Sequence, residues 1–165
     1  MVTWREERVD SPSAVALLSE YFGSRELDFP TNQGKYRIVF PAAEAFVPPR
    51  GVFLVVEGED LAGDAADVGC GGIRRIDDAA EGLIRYEVKH LYLRPHTRGQ
   101  GLGRALLAEL ERRAREFGAR SLVLDTNASL VAAAGLYRSA GYVGIEPYND
   151  NANATNWYEK VLGES

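Results

Sequence analysis

The spacing of apolar residues changes along the chain, and each change predicts an element. Ala14, Leu17, Leu18 and Tyr21 recur at helical intervals after Asp10-Ser11-Pro12. Ser11 suits the N-cap and Pro12 the first helical position, while Gly23 is placed to stop the helix. Residues 24–50 then lose any period, because Pro30, Gly34, Pro41, Pro48 and Pro49 interrupt them, with Phe29, Tyr36, Phe40 and Phe46 interspersed. This composition predicts a mobile, partly helical segment suited to forming one wall of a substrate site.

Strands follow. Val52–Val56 is an unbroken apolar run, and Gly58–Asp67 reads as an acidic, Ala/Gly-rich turn. Val68–Ile76 is a second strand, Asp77–Gly82 a turn, and Leu83–Leu93 a long third strand. From Gly101 to Phe117 the period returns to helical: Leu102, Leu106, Leu110, Ala114 and Phe117 share a face, Glu109–Arg113 and Glu111–Arg115 support the wet side, and Gly118 ends the helix. Ser121–Asp125 is a strand. Leu130, Ala133, Ala134 and Tyr137 mark a further helix ending at Gly141, and Tyr142–Ile145 and Asn156–Leu162 complete the set. The order predicts one α/β domain over residues 1–165, a mixed sheet with helices on both faces.

With 165 residues and a formal charge of −5, the chain has room for one real core and carries no Lys/Arg block. That disfavours nucleic acid or a membrane surface as the main partner. No apolar run reaches the ~18 residues of a membrane span, and the start lacks the shape of a signal peptide. A single cysteine makes no internal disulfide, so a reducing cytoplasm is the expected setting.

The chemistry concentrates in Arg98-Gly99-Gln100-Gly101-Leu102-Gly103-Arg104, where a strand runs through alternating glycines into a helix. Such a loop lets backbone approach a ligand, and the first N–H groups of the helix favour an anion, above all a phosphate. A P-loop is excluded because G-x-x-x-x-G-K-[ST] is absent. A dinucleotide fingerprint is closer, with Asp125 about 20 residues on, where a ribose-binding acid would sit. It fails because Arg104 stands at its third glycine and Arg94–Arg98 separates strand from glycines.

Arg98-x-x-Gly101-x-Gly103 resembles the signature of the GCN5-related N-acetyltransferase (GNAT) family, [Gln/Arg]-x-x-Gly-x-[Gly/Ala]. Glu87-Val-Lys-His-Leu-Tyr-Leu-Arg-Pro is similar to the strand leading into that loop, Leu136-Tyr137-x-x-x-Gly141-Tyr142 to a later helix–strand junction, and Asn149 through Lys160 to a C-terminal strand. The resemblance covers residues 52–162. It implies a splayed GNAT-like sheet and acetyl-CoA as co-substrate; no metal is expected, because His90 and His96 make no metal constellation. The pyrophosphate would lie on the backbone from Arg98 through Gly99, Gln100, Gly101, Leu102 and Gly103 to Arg104. The pantetheine arm would lie along Leu91, Tyr92 and Leu93. It also implies Glu87 as general base and Tyr137 as the acid that protonates the leaving thiolate. Leu130 stands where many members carry Asn, so Asn127 or Ser129 becomes the substitute contact.

The expected activity is transfer of an acetyl group to a primary amine, with a small amine, an amino acid or a drug as acceptor. A dimer through the C-terminal strands is common in the family, and the sequence does not decide it. Two rivals remain: a non-catalytic acyl-CoA sensor of the same fold, and a nucleotide-dependent oxidoreductase relying on Asp125. Cys70 reads as a small buried hydrophobe. His90 can line an acceptor crevice; Asp150 can meet an ammonium, but a polar turn is the preferred reading.

Overall fold

Val52 through Val56 are all fully buried, so both faces of their strand must be covered. They form the middle of β2 (Gly51–Glu59) in a computed structural model that describes residues 2–76 and 83–163. Strands β3 (Ala65–Ile76) and β4 (Arg85–Leu93) continue an antiparallel meander, each longer at one end or shorter at the other than the apolar pattern alone predicts. The predicted turn at Asp77–Gly82 lies outside the described residues. Strand β1 (Thr3–Glu6) was not expected: its sequence, Thr-Trp-Arg-Glu, has no apolar alternation. Backbone pairing to β2 makes it the sheet edge, and Arg5 anchors it through Glu57 and Asp67.

The remaining strands are β5 (Ser121–Thr126), β6 (Val143–Ile145) and β7 (Asn156–Val161). The sheet order is β1-β2-β3-β4-β5-β7-β6, and all neighbours are antiparallel except β4 and β5. The β4–β5 crossover contains α2 (Leu102–Glu116), and α3 (Val131–Ser139) follows β5.

Helix α1 (Pro12–Asp28) begins as expected, with Ser11 accepting the Ala14 N–H at 3.1 Å. It does not stop at Gly23. A single mid-helix glycine costs only about 1 kcal/mol, and burial of Leu17, Leu18 and Phe22 against the sheet outweighs it. The helix ends instead before Phe29-Pro30, where the residue preceding proline avoids helical backbone.

Two apolar clusters sandwich the sheet. One joins α1 to Phe53, Val55, Cys70 and Tyr92; the other joins α2 to Val52, Leu54, Ile73 and Tyr86. Gly71 lies beneath α2, where a Cβ would come within 3.0–3.4 Å of Leu91, Leu106 and Leu110. The predicted Glu109–Arg113 pair forms at 2.9 Å. Glu111 does not serve the wet face: it is buried, accepts from Lys160 Nζ at 2.7 Å and from the Tyr142 hydroxyl at 3.1 Å, and so ties α2 to β7.

Removing one member of a buried ion pair strands the other, and because Lys160 is partly exposed, Glu111→Ala is expected to cost about 2 kcal/mol. Equilibrium urea unfolding measures it; a loss below about 0.5 kcal/mol, the range of ordinary surface changes, would show that the pair holds nothing.

Candidate active site

The site begins as a fault in strand pairing. Lys89 pairs with Gly72 and Tyr92 with Cys70, so His90 and Leu91 together face the single residue Gly71. This is a β-bulge, and His90 sits in left-handed backbone at φ 59°. The extra residue shifts the pleat. Tyr86 and Val88 face α2 before the bulge, and Leu91 and Leu93 face it afterwards. Ahead of the bulge β4 already leaves β5: the parallel pairing covers only Arg85–Ser121, Tyr86–Leu122 and Glu87–Val123. The strands part there, and a cleft of about 1010 Å³ opens between them.

Leu91, Tyr92 and Leu93 line that cleft, as do Arg98, Gly99, Gly101, Gly103 and Arg104. Gly99 and Gly101 have φ of 79° and 80°, which a side chain rarely adopts, and nothing lies within 4 Å of the Cβ either lacks. Gly101 leads directly into α2, so the free N–H groups of the first turn open beside the cleft. Gly103 differs: it is helical, and a Cβ there would touch Leu136 and Leu93 at 3.4 and 3.6 Å.

The neighbouring side chains are largely braces. Arg98 donates to the Leu93 carbonyl at 3.0 Å and lies over Tyr92, and Arg104 donates to Ser139 at the end of α3 at 3.0 and 3.1 Å. Gln100 reaches the His96 carbonyl at 3.4 Å; it and Leu102 border a smaller hollow on the far side of the loop rather than the cleft. Asn127 is also placed differently from expectation. It is buried outside the cleft lining, donates to Gln33 and to the Asn153 carbonyl at 2.7 and 3.1 Å, and accepts from the Ser129 N–H. Its amide is fully used in fastening loops.

Tyr137 on α3 lines the cleft while its ring packs against Tyr142 and Tyr158. Its hydroxyl makes no hydrogen bond among the described residues. Burial pushes its pKa up to about 12, with the charge of Arg25 pulling the other way. It therefore carries its proton throughout the neutral range.

Glu87 is 1% exposed and does not line the cleft. Its Oε1 accepts from Arg74 at 2.9 Å, and its Oε2 accepts from the Tyr148 hydroxyl at 2.6 Å and lies 3.7 Å from Lys89. Asn149 joins the group, donating to Asp125 at 2.7 Å and accepting from the Trp157 indole at 2.9 Å. Asp125 does line the cleft. Burial works to raise its pKa, but Lys89, 3.2 Å away, and the Asn149 and Asn151 amides outweigh it, leaving a carboxylate held below its usual range. Asp150, by contrast, is exposed and outside the lining. Arg74 and Tyr148 carry no motif; the pairing of β3 with β4 and the segment between β6 and β7 bring them to Glu87 and Lys89.

The other wall is aromatic. Residues 29–50 contain two 3-10 turns, Thr31–Gln33 and Ala43–Phe46, and supply Tyr36, Phe40 and Phe46 to the cleft as the sequence predicts. His90 is enclosed by Tyr21, Phe22 and Phe46, with ring centroids 5.5–6.0 Å apart. Its Nδ1 is buried without a partner among the described residues, and burial lowers its pKa to about 3. Cys70 is buried beneath, its thiol donating to the His90 carbonyl at 3.5 Å, and burial raises its pKa. No grouping of potential metal ligands occurs, and no helix is long and apolar enough to cross a membrane, among the described residues.

Comparison with known proteins sets this geometry in context. The acetyltransferase (GNAT) family model matches residues 14–142. An uncharacterized N-acetyltransferase of Schizosaccharomyces pombe is 36% identical over 63% of this chain and 59% of its own length. An IAA acetyltransferase of Azospirillum brasilense is 35% identical over 49% of this chain and 50% of its own. The chain thus spans half to three-fifths of these two relatives. Among solved structures, a Klebsiella pneumoniae protein described as an acyl-CoA N-acyltransferase is 28% identical, with 99% of both chains covered and a TM-score of 0.67. A GNAT-family acetyltransferase of Staphylococcus aureus shares the fold at a TM-score of 0.74 and 16% identity, over 99% of this chain and 100% of its own.

The buried imidazole gives a prediction. Unfolding exposes His90, which then takes up a proton below its ordinary pKa of 6.5, whereas the folded protein refuses it until about pH 3. Stability therefore falls as pH drops through that window. Asn tolerates positive φ, so His90→Asn is expected to flatten the dependence of unfolding free energy on pH by about one proton. Equal slopes in denaturant titrations of the two proteins would show that the imidazole is not held neutral.

Proposed function

The chain belongs to the acetyltransferase (GNAT) family, and from that premise we propose that it transfers the acetyl group of acetyl-CoA directly to a primary amine within the β4–β5 cleft. The observation that carries this reading is the parted edge of β4, followed after a 3-10 turn at Pro95–Thr97 by two left-handed glycines and the start of α2. An extended, amide-bearing arm matches the edge at Leu91–Leu93, because strand N–H and C=O groups that β5 leaves unpaired need partners, the Leu93 carbonyl alone being already held by Arg98. A pyrophosphate matches the loop from Arg98 to Arg104 through backbone N–H groups and the positive end of α2. Arg98 and Arg104 are engaged with the protein, so in this reading the backbone supplies most of the anion contact.

In the transfer, the acceptor ammonium first gives up a proton. Its nitrogen then bonds to the thioester carbonyl carbon as the C–S bond breaks, and the nitrogen sheds a second proton. One proton ends on sulfur, giving a thiol, and one goes to solvent. Tyr137 is the acid in this scheme, because its phenol is protonated, unpartnered and in the cleft. Glu87 enters otherwise than as a free base. Its oxygens are taken by Arg74 and Tyr148, so it orders the polar floor around Asn149 and Asp125, and the first proton leaves through water. The same saturation of Glu87 favours the second reading, an acyl-CoA sensor without turnover.

Two measurements test these readings. Acetyl-CoA or CoA at ~100 times its dissociation constant should stabilise the fold by about 2.7 kcal/mol in thermal unfolding, whereas NAD should not; stabilisation by NAD alone would sink the proposal. In an amine screen Tyr137→Phe should lower kcat by about 100-fold, the usual scale of a general acid. Cofactor binding without transfer to any amine would instead establish the sensor reading.

A further inference from the structure

The cationic side chains lining the cleft are Arg25, Arg37, Arg74, Lys89, Arg98 and Arg104, against the acids Asp28 and Asp125. Most are already engaged. Arg74 holds Glu87, Lys89 holds Asp125, Arg98 holds the Leu93 carbonyl, and Arg104 holds Ser139. Arg37 is exposed to solvent. Arg25 is different: it is half-buried, and its guanidinium lies over the rings of Tyr21 and Tyr36 at 5.8 and 5.9 Å. Among the described residues it makes no ion pair and no hydrogen bond, and its Nε is buried without a partner. Asp28, one turn further along α1, is exposed and does not pair with it.

A guanidinium fixed between two aromatic rings keeps its planar fork of donors in one orientation, and that fork matches a carboxylate. Its Nε is enclosed by protein, so a ligand in the cleft would meet the Nη groups, which make no hydrogen bond or ion pair among the described residues. Arg25 also lies within electrostatic reach of the reacting centre, since its charge opposes the burial effect on the Tyr137 phenol. Next to it the cleft is apolar. Phe22 lies 5.1 Å from Phe40 and 5.5 Å from His90, and Phe46 closes the same group. The His90 imidazole is neutral, so this wall adds no charge.

We propose that Arg25 is the carboxylate anchor of the acceptor site, and that the acceptor is an amino-acid-like amine with an apolar or aromatic side chain seated against Phe22, Phe40, Phe46 and His90. The proposal rests on the acetyl-transfer reading above and names its substrate class. Arg25 positions the acceptor and takes no part in the proton transfers.

The test uses the full chain with acetyl-CoA. L-Phenylalanine and L-leucine are compared with their decarboxylated counterparts, 2-phenylethylamine and 3-methylbutylamine. The amino acids should be preferred in kcat/KM by about 30-fold, the scale of one charge-assisted bidentate contact. Arg25→Gln should remove that preference, acting mainly through KM, and Arg25→Lys should restore part of it. Binding of N-acetyl-L-phenylalanine in the presence of CoA should weaken by about 30-fold in Arg25→Gln, a readout independent of turnover. A wild-type preference for the decarboxylated amines, or an equal loss for both classes in Arg25→Gln, would overturn the proposal; the wild-type comparison decides even if the variant does not fold. Calorimetric titration with acetyl-CoA separates the two levels. If acetyl-CoA binds and no amino acid is acetylated or bound, the acceptor assignment alone fails. If acetyl-CoA does not bind, the transfer reading fails and takes the assignment with it.

Discussion

Three residue pairs hold β4 to β5, and the site exists because the pairing stops there. A parallel pair that continued through Leu93 would close the sheet and satisfy its own backbone, leaving nothing for a ligand to complete. The last pair is Glu87–Val123, and the bulge at His90 and Leu91 follows three residues on, turning the upper part of β4, while β5 stays held along its length by β7 on its other side. The sheet is therefore continuous below the cleft and divided above it, so a rigid base carries an open mouth.

The two sides of the mouth are built from different materials. On one side backbone dominates: left-handed glycines, the first turn of α2 and an unpaired strand edge, with nearby arginines spent on fastening the loop to β4 and α3. On the other side are aromatic rings from α1 and the 3-10 turns, and beneath lies a floor of interlocked charges running from Arg74 through Glu87 and Asn149 to Asp125 and Lys89. Backbone donors suit a ligand whose charge is spread over many oxygens, whereas the rings and Arg25 suit a smaller molecule with one fixed charge. The floor keeps its charges internally paired, so it can be buried without the cost of isolated ions.

Most of the fold was legible in the sequence because the relevant signals are local. Ser11-Pro12 caps α1, Gly118 ends α2, and the run Val52–Val56 announces a strand covered on both sides. Signals that depend on partners far along the chain were not legible. Thr3–Glu6 is a strand only because β2 offers it an edge, and Gly23 fails to stop α1 because the sheet pays for the next turn. Glu111 sits among arginines in sequence yet finds Lys160 in space. The glycine loop and Tyr137, which the family resemblance singles out, line the same cleft. Glu87 was readable as a position but not as a role, since Arg74 and Tyr148, which occupy it, come 13 residues before it and 61 after. A bulge has no apolar signature, so the change of face between Val88 and Leu91 was invisible to a count of alternation.

The divided sheet has a consequence for the protein's lifetime. Its least supported backbone is the upper part of β4, fastened to β3 on one side and open on the other. In the proposed complex an extended molecule lying there would take the place of a missing strand and join the two halves of the sheet. Local opening of that edge would then depend on how much of the molecule is present, and so would the rate at which a protease finds the chain. Supply of the small molecule would in this way regulate how long each copy survives as well as how fast it works.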